Sequence, residues 1–170
     1  VFSGLACPAA AETIRGGMCR LPMTGLALGT IGSLIATPST ISFSATNPNS
    51  GAVSGSSAAT VNWDVLGGSN QRTWSVSVQA SESTFAGCST IPVSAVTVAC
   101  TTATVNGGGG TGSCNGSFNL STVANQVAGG TEGDGKRAYF LQLSFFLAES
   151  WQYIASPSCT LTLIYTVNAP

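Results

Sequence analysis

Alternation of apolar and polar side chains runs through most of the chain and predicts β-strands. In residues 73–80, Trp74, Val76, Val78 and Ala80 share one face, while Thr, Ser and Gln occupy the other. This period of two is typical of strands that place one face on a core and the other in solvent. The same pattern predicts six further strands, at 40–46, 58–66, 92–100, 113–120, 138–148 and 159–167.

Residues 26–36, LALGTIGSLIA, carry apolar side chains on both faces of a strand. The residues on one face include Leu26, Leu28 and Leu34, and those on the other include Ile31 and Ile35. The pattern predicts a strand that is buried on both sides. A buried helix is the alternative, but two glycines and several β-branched residues disfavour it.

Turn-forming residues separate the predicted strands, at 47–51, 67–70, 106–110, 129–135 and 156–158. Seven or eight short strands without a long helix indicate an all-β fold. We expect a disulfide-bonded β-sandwich, Ig-like or jelly-roll-like, with an N-terminal extension. Residues 1–37 would form the N-terminal arm and residues 38–170 the sandwich domain.

Charge is sparse, and this excludes several functions. Only 6% of the residues are charged, whereas soluble domains average about 25%. The five scattered Lys and Arg residues cannot form the basic patch that nucleic-acid binding requires. The chain has no histidine, which excludes any mechanism that needs an imidazole. Its longest apolar stretch, 26–36, is too short for a membrane-spanning helix.

The same sparse charge has a positive implication. Chains near neutrality tend to associate, because charge repulsion is what keeps monomers apart. We therefore expect the partners to be copies of the chain itself, in a helical homopolymer. A host or cell-wall surface is a further partner to consider.

Six cysteines, none in a Cys-x-x-Cys spacing, favour disulfides over zinc ligation. Disulfides indicate an oxidising compartment, and the chain begins at Val1 without an initiator Met. We interpret it as an extracellular protein at the cell surface whose secretory signal has been removed. Fifteen connectivities are possible, and free thiols are the alternative. The pairings expected are Cys7–Cys19 in the arm, Cys100–Cys114 across a hairpin, and Cys88–Cys159 between the middle of the chain and its last strand.

The short motifs in the sequence do not indicate a specific chemical function. Residues 21–25, LPMTG, match a sortase signal but lie far from the C-terminus, where such signals stand. Residues 107–112, GGGGTG, lack the Lys and the helix of a phosphate loop and predict a flexible connection. Residues 131–136 predict a charged solvent turn, with too few oxygens for calcium. Asn115 and Asn119 each begin an N-glycosylation sequon.

No residue set suggests catalysis. The six carboxylates are scattered, and no base or activated nucleophile can be named. We expect no enzyme activity, no cofactor, and no catalytic or metal-binding residues. Trp63 and Trp74 lie in alternating strands and are expected in the core, whereas Trp151 follows the longest strand and is a candidate platform for a sugar ring.

The architecture resembles that of bacterial donor-strand pilins and related surface-filament subunits. The features that carry the resemblance are an apolar N-terminal strand followed by a Ser/Thr-rich, disulfide-bearing sandwich. The resemblance implies a structural subunit of an extracellular filament, joined by strand addition between subunits. The strand residues expected in that contact are Leu26, Leu28, Ile31, Leu34 and Ile35.

The chain is also similar to bacterial surface domains named for a Trp-x-Leu motif. The similar segments are 41–44 with Asn47-Pro48, 74–78, and 165–170, although Val76 stands where the motif has Leu. This similarity implies the alternative function, a monomeric surface module that binds cell wall or another glycan.

Overall fold

A computed structural model describes residues 31–44, 51–153 and 159–170 of the chain. These residues form almost only β-structure, with one short 3-10 turn at Val93–Ala95. The strands are β1 Ile31–Thr37, β2 Ala52–Ser54, β3 Ala59–Gly68, β4 Thr73–Ala80, β5 Thr84–Phe85, β6 Cys88–Pro92, β7 Val96–Val105, β8 Ser113–Cys114, β9 Ser117–Asn119, β10 Asn125–Thr131, β11 Gly135–Ala148 and β12 Leu163–Asn168.

Two antiparallel sheets face each other across the core. The first has the strand order β1-β3-β11-β7-β9, with β2 paired to the end of β11. The second has the order β12-β4-β10-β8, and β5 and β6 form a separate two-stranded ribbon. This is a disulfide-bonded β-sandwich, so the fold class expected from the sequence is confirmed.

Three aromatic rings at the centre of the core join the sheets. Trp63 on β3 and Tyr139 on β11 are stacked, with ring centroids 5.1 Å apart. Trp74 on β4 of the opposite sheet meets both rings edge-on, with centroids 5.3 Å from Trp63 and 5.8 Å from Tyr139. Trp63 and Trp74 are no more than 2% exposed, which confirms that they are core residues.

The disulfide Cys100–Cys114 cross-links the two sheets. Cys100 lies on β7 of the first sheet and Cys114 on β8 of the second. The pairing is the expected one, but the hairpin is not, because β7 pairs with β11 and β9 whereas β8 pairs with β10. Residues 106–112 thus form a connection that crosses from one sheet to the other.

A second disulfide, Cys88–Cys159, ties the ribbon to the segment that leads into β12. A bridge between Ala86 and Thr160 supports the same contact. This pairing is also the expected one. The proposed Cys7–Cys19 bond lies outside the described residues.

Several predicted secondary-structure assignments are wrong in the described residues. The strand predicted at 113–120 divides into β8 and β9, which lie in different sheets. The strand predicted at 92–100 contains the 3-10 turn Val93–Ala95 and becomes β7 only from Val96. Residues 40–44 form no strand; instead Ile41 and Phe43 pack against the core from an irregular segment. Residues 129–131 are not a turn but the end of β10. Glycine is required at 130 because a Cβ there would collide with the Thr111 carbonyl oxygen. The glycine that suggested a turn is thus explained by close packing within a strand.

The two disulfides should contribute unequally to stability. Replacing both cysteines of Cys100–Cys114 by Ser should lower the free energy of unfolding by about 3 kcal/mol, from loop-closure entropy. The same change at Cys88 and Cys159 should cost about 4 kcal/mol, because a sequence separation of 71 rather than 14 is released. Guanidinium unfolding followed by Trp fluorescence measures both values. A larger loss at Cys100–Cys114 would contradict this ranking.

Candidate functional site

One flank of the sandwich is bounded by an edge strand of each sheet. Trp63 on β3 contacts Trp74 on β4, and Cys100 on β7 is bonded to Cys114 on β8. The two sheets are therefore stacked in the same order, and β1 lies over β12. Among the described residues, β1 pairs only with β3 and β12 only with β4. We call this flank, formed by β1 and β12, the open edge.

Apolar side chains face inward along both strands of the open edge. On β1, Leu34 and Ala36 stand opposite the buried residues Trp63 and Val61. On β12, Tyr165 stands opposite the fully buried Val78. Unlike their partners on β3 and β4, the inward residues of the open edge are only half-buried: Ile31, Leu34, Ala36, Leu163, Tyr165 and Val167.

Tyr165 shows how apolar this flank is. Desolvation raises the pKa of its hydroxyl well above the ordinary value of 10.0. Like an ordinary tyrosine hydroxyl, it is neutral at physiological pH. A neutral phenol between Leu163 and Val167 is compatible with a further apolar strand beside it.

The expectation that residues 31–36 are buried on both faces is wrong. Gly32, Ser33 and Ile35 are exposed, Ile35 by 37%. This face of β1 continues the polar outer face of β3, where the Ser33 hydroxyl donates to Asp64 Oδ2 over 3.2 Å.

The proposed subunit-contact residues divide accordingly. In the single chain Ile31 and Leu34 pack against its own core, Ile35 faces outward, and Leu26 and Leu28 lie outside the described residues. The expected boundary at 37 does not separate β1 from the sandwich, because β1 is an edge strand of the first sheet.

A buried ion pair holds together the loops at one end of the sandwich. Arg72 Nε lies 3.0 Å from Glu132 Oε2, with the Glu132 side chain fully buried and that of Arg72 22% exposed. The Ser69 backbone N–H donates to the same carboxylate oxygen over 3.1 Å. The other oxygen, Oε1, is buried and accepts no hydrogen bond from the described residues. The interpretation of residues 131–136 as a solvent turn is therefore wrong for Glu132.

Neighbouring contacts extend this network to a third loop. Asp134 accepts hydrogen bonds from the Asn70 backbone N–H (2.8 Å) and side-chain amide (3.0 Å), and its own N–H donates to the Gly108 carbonyl. The Gly133 N–H donates to the Tyr139 hydroxyl oxygen over 3.3 Å. Burial raises the pKa of Tyr139, and the Gly133 hydrogen bond partly opposes that rise. These contacts fix loops 69–72, 106–112 and 132–134 against one another.

The sequence gives only a faint signal for this network. Arg72 is one of only three cations among the described residues, and it directly precedes the inward-facing Trp74 strand. Nothing in the local pattern around Glu132 distinguishes it from a surface acid, because its burial depends on a loop 60 residues away in sequence.

The remaining candidate residues are not part of β1 or β12. Trp151 is 75% exposed after the end of β11. Asn115 and Asn119 are exposed in the region of β8 and β9, and the Asn119 side-chain oxygen accepts a hydrogen bond from Thr97. The LPMTG segment lies outside the described residues.

Metal-ligating side chains are not clustered. Among residues 31–44, 51–153 and 159–170, no three Cys, Asp or Glu side chains are close enough together to hold an ion. These ranges also contain no helix with the length and apolarity that crossing a bilayer requires.

Comparisons with models of known protein families, with curated proteins and with solved structures find no match.

The buried ion pair generates a stability prediction. Glu132→Gln should lower the free energy of unfolding by about 3 kcal/mol, because it leaves the Arg72 charge partly buried without its partner. Urea unfolding followed by Trp fluorescence provides the value.

A matched control is Glu82→Gln, the same chemical change at an exposed acid. That variant should remain within about 0.5 kcal/mol of the parent. Similar losses for the two variants would show that the ion pair does not stabilise the loops.

Proposed function

We propose that the protein is a structural, non-catalytic subunit of an extracellular filament, whose subunits join by strand addition at the open edge. One observation carries the proposal: edge strands of both sheets lie on the same flank, each with an inward apolar face that is only half-buried. A strand supplied by a second copy would bury these side chains and pair with the edges.

The apolar residues needed for such a strand precede β1 directly. At period two, Leu26 and Leu28 share a strand face with Leu34. Ile31 pairs with Val65 near the end of β3. The chain therefore enters β1 at the end of the sandwich where the loop at 69–72 follows β3. A segment that extends from this end would be available to a neighbouring subunit, and a contact of this kind repeats without closing.

Composition and covalent structure support the same role. Neither β1 nor β12 contains a charged residue, although charged residues commonly protect exposed edges from pairing. Two disulfides brace the sandwich, and such bonds persist in oxidising compartments. Both features suit a subunit that must keep its shape outside the cell while it associates with copies of itself.

The Leu28→Asp variant tests the proposal. A carboxylate in the donor strand should reduce filament yield more than tenfold, because burying an unpaired charge costs several kcal/mol and each 1.4 kcal/mol is a factor of ten. Negative-stain electron microscopy of the native protein and the variant, with pelleting to quantify filament mass, gives the comparison.

The control is Thr104→Asp, which adds the same charge at an exposed position on β7. It should form filaments normally, and near-ultraviolet circular dichroism should show native Trp packing in both variants. Discrete particles from the unaltered protein would contradict the filament role. Normal filaments from Leu28→Asp would contradict the assignment of the donor strand.

A further inference from the structure

A shallow groove with an uncharged lining crosses the outer face of the second sheet. It has a volume of about 500 Å³ and lies over β4, β10 and β8. Its floor is Gly129, which pairs with Ser75 on one side and Ser113 on the other. Because Ser75 and Ser113 carry side chains and Gly129 does not, a trough runs between the neighbouring strands.

Several side chains along this groove have unused hydrogen-bonding capacity. The hydroxyls of Thr73 and Ser75 and the carboxamides of Asn115 and Gln126 line it, and none makes a side-chain hydrogen bond to the described residues. The Gln126 amide reaches across the floor, since a Cβ on Gly129 would lie 2.9 Å from its Nε2 atom. Each of these groups offers donors, acceptors or both.

Hydrogen bonds and a disulfide brace the groove. The Trp74 indole N–H donates to the carbonyl oxygens of Thr111 (3.0 Å) and Thr131 (3.1 Å), two residues of the groove wall. The hydroxyls of Thr111 and Thr131 lie 2.9 Å apart and bond to each other, and Cys114 on β8 is fixed by its disulfide. A preformed surface lowers the entropic cost of binding.

The lining selects one class of ligand. None of the ten residues around the groove is charged, so an anionic or cationic ligand would find no opposite charge. The only aromatic residue among them, Trp74, is 2% exposed, so the lining offers no aromatic ring face to an apolar ligand. Hydroxyl groups of a sugar match the lining, because they donate and accept hydrogen bonds as the side chains do.

We propose that this groove binds a neutral oligosaccharide, through the carboxamides of Asn115 and Gln126 and the hydroxyls of Thr73 and Ser75. The proposal goes beyond filament assembly and does not depend on it. It also assigns glycan binding to the second sheet rather than to Trp151.

Saturation-transfer-difference NMR of the full chain tests this site, and it works for single molecules and for assemblies. The protein is made in a host without N-glycosylation, so that Asn115 is unmodified. The probes are neutral hexasaccharides of glucose, mannose and N-acetylglucosamine, with hexagalacturonate as the charged comparison. We expect at least one neutral probe to bind and the charged probe not to bind.

Asn115→Ala and Gln126→Ala should each weaken that binding about fivefold, the effect of losing one hydrogen bond. The matched control is Asn62→Ala, which removes an exposed carboxamide from β3 on the other sheet; it should bind as the parent does. Three results would each overturn the proposal: no neutral probe binding at about 10 mM, a concentration that detects even very weak sites; equal binding of hexagalacturonate; or binding that is lost in Trp151→Ala and kept in both groove variants.

Filament formation by the same variants is scored separately by electron microscopy. Groove variants that assemble normally but lose the sugar support the glycan site alone. Failure of assembly in Leu28→Asp leaves the sugar measurements unaffected, so the two proposals can fail independently.

Discussion

The packing of Trp74 against Trp63 and Tyr139 is the contact on which the rest of the structure depends. A sheet with one apolar face is stable only when that face is covered, and these three rings bring the faces of β3, β11 and β4 together. Together with the Cys100–Cys114 disulfide, their position sets the stacking order of the strands. Because β3 lies over β4 and the disulfide joins β7 to β8, the outer neighbours β1 and β12 share a flank, which is the open edge.

The ion pair between Arg72 and Glu132 depends on electrostatic attraction rather than on apolar packing. Burying Glu132 is costly, and the attraction to Arg72 together with the Ser69 N–H offsets that cost. A pair of this kind adds little net stability compared with apolar packing, but here it joins the loop at 69–72 to the loop at 132–134. That arrangement seals the end of the core beside Tyr139, where the loops are rich in glycine and supply few apolar side chains.

The sequence alone predicted the structural features that are determined by residues close together in the chain. The bounds of β4 at 73–80 follow from strict alternation, and β3 differs from its prediction by only a few residues, because each pattern reports directly on which face is buried. The cross-links Cys88–Cys159 and Cys100–Cys114 matched the expected pairings. The hairpin expected between Cys100 and Cys114 was wrong, because β7 and β8 belong to different sheets.

The incorrect predictions concern residues whose structure is determined by contacts with distant parts of the chain. Ile41 and Phe43 alternate like a strand but pack without joining a ladder, and Gly130 looks like a turn residue because Thr111 excludes a side chain there. Glu132 and the groove over Gly129 were missed because each is created by a neighbouring element distant in sequence. No periodicity within one segment carries that information.

The scarcity of charge has different consequences at the open edge and on the outer face of the second sheet. At the open edge, β1 and β12 lack the charged residues that commonly discourage strand pairing, and only the β-bulge near Ile31 and the proline after β1 interrupt that edge. On the outer face of the second sheet, the same lack of charge leaves a groove whose hydroxyls and amides have no charged residue beside them in the lining. A sandwich of this composition is therefore apolar where it exposes backbone edges and uncharged where the groove lies on a sheet face, so the two proposals of strand addition and sugar binding rest on different surfaces of the molecule.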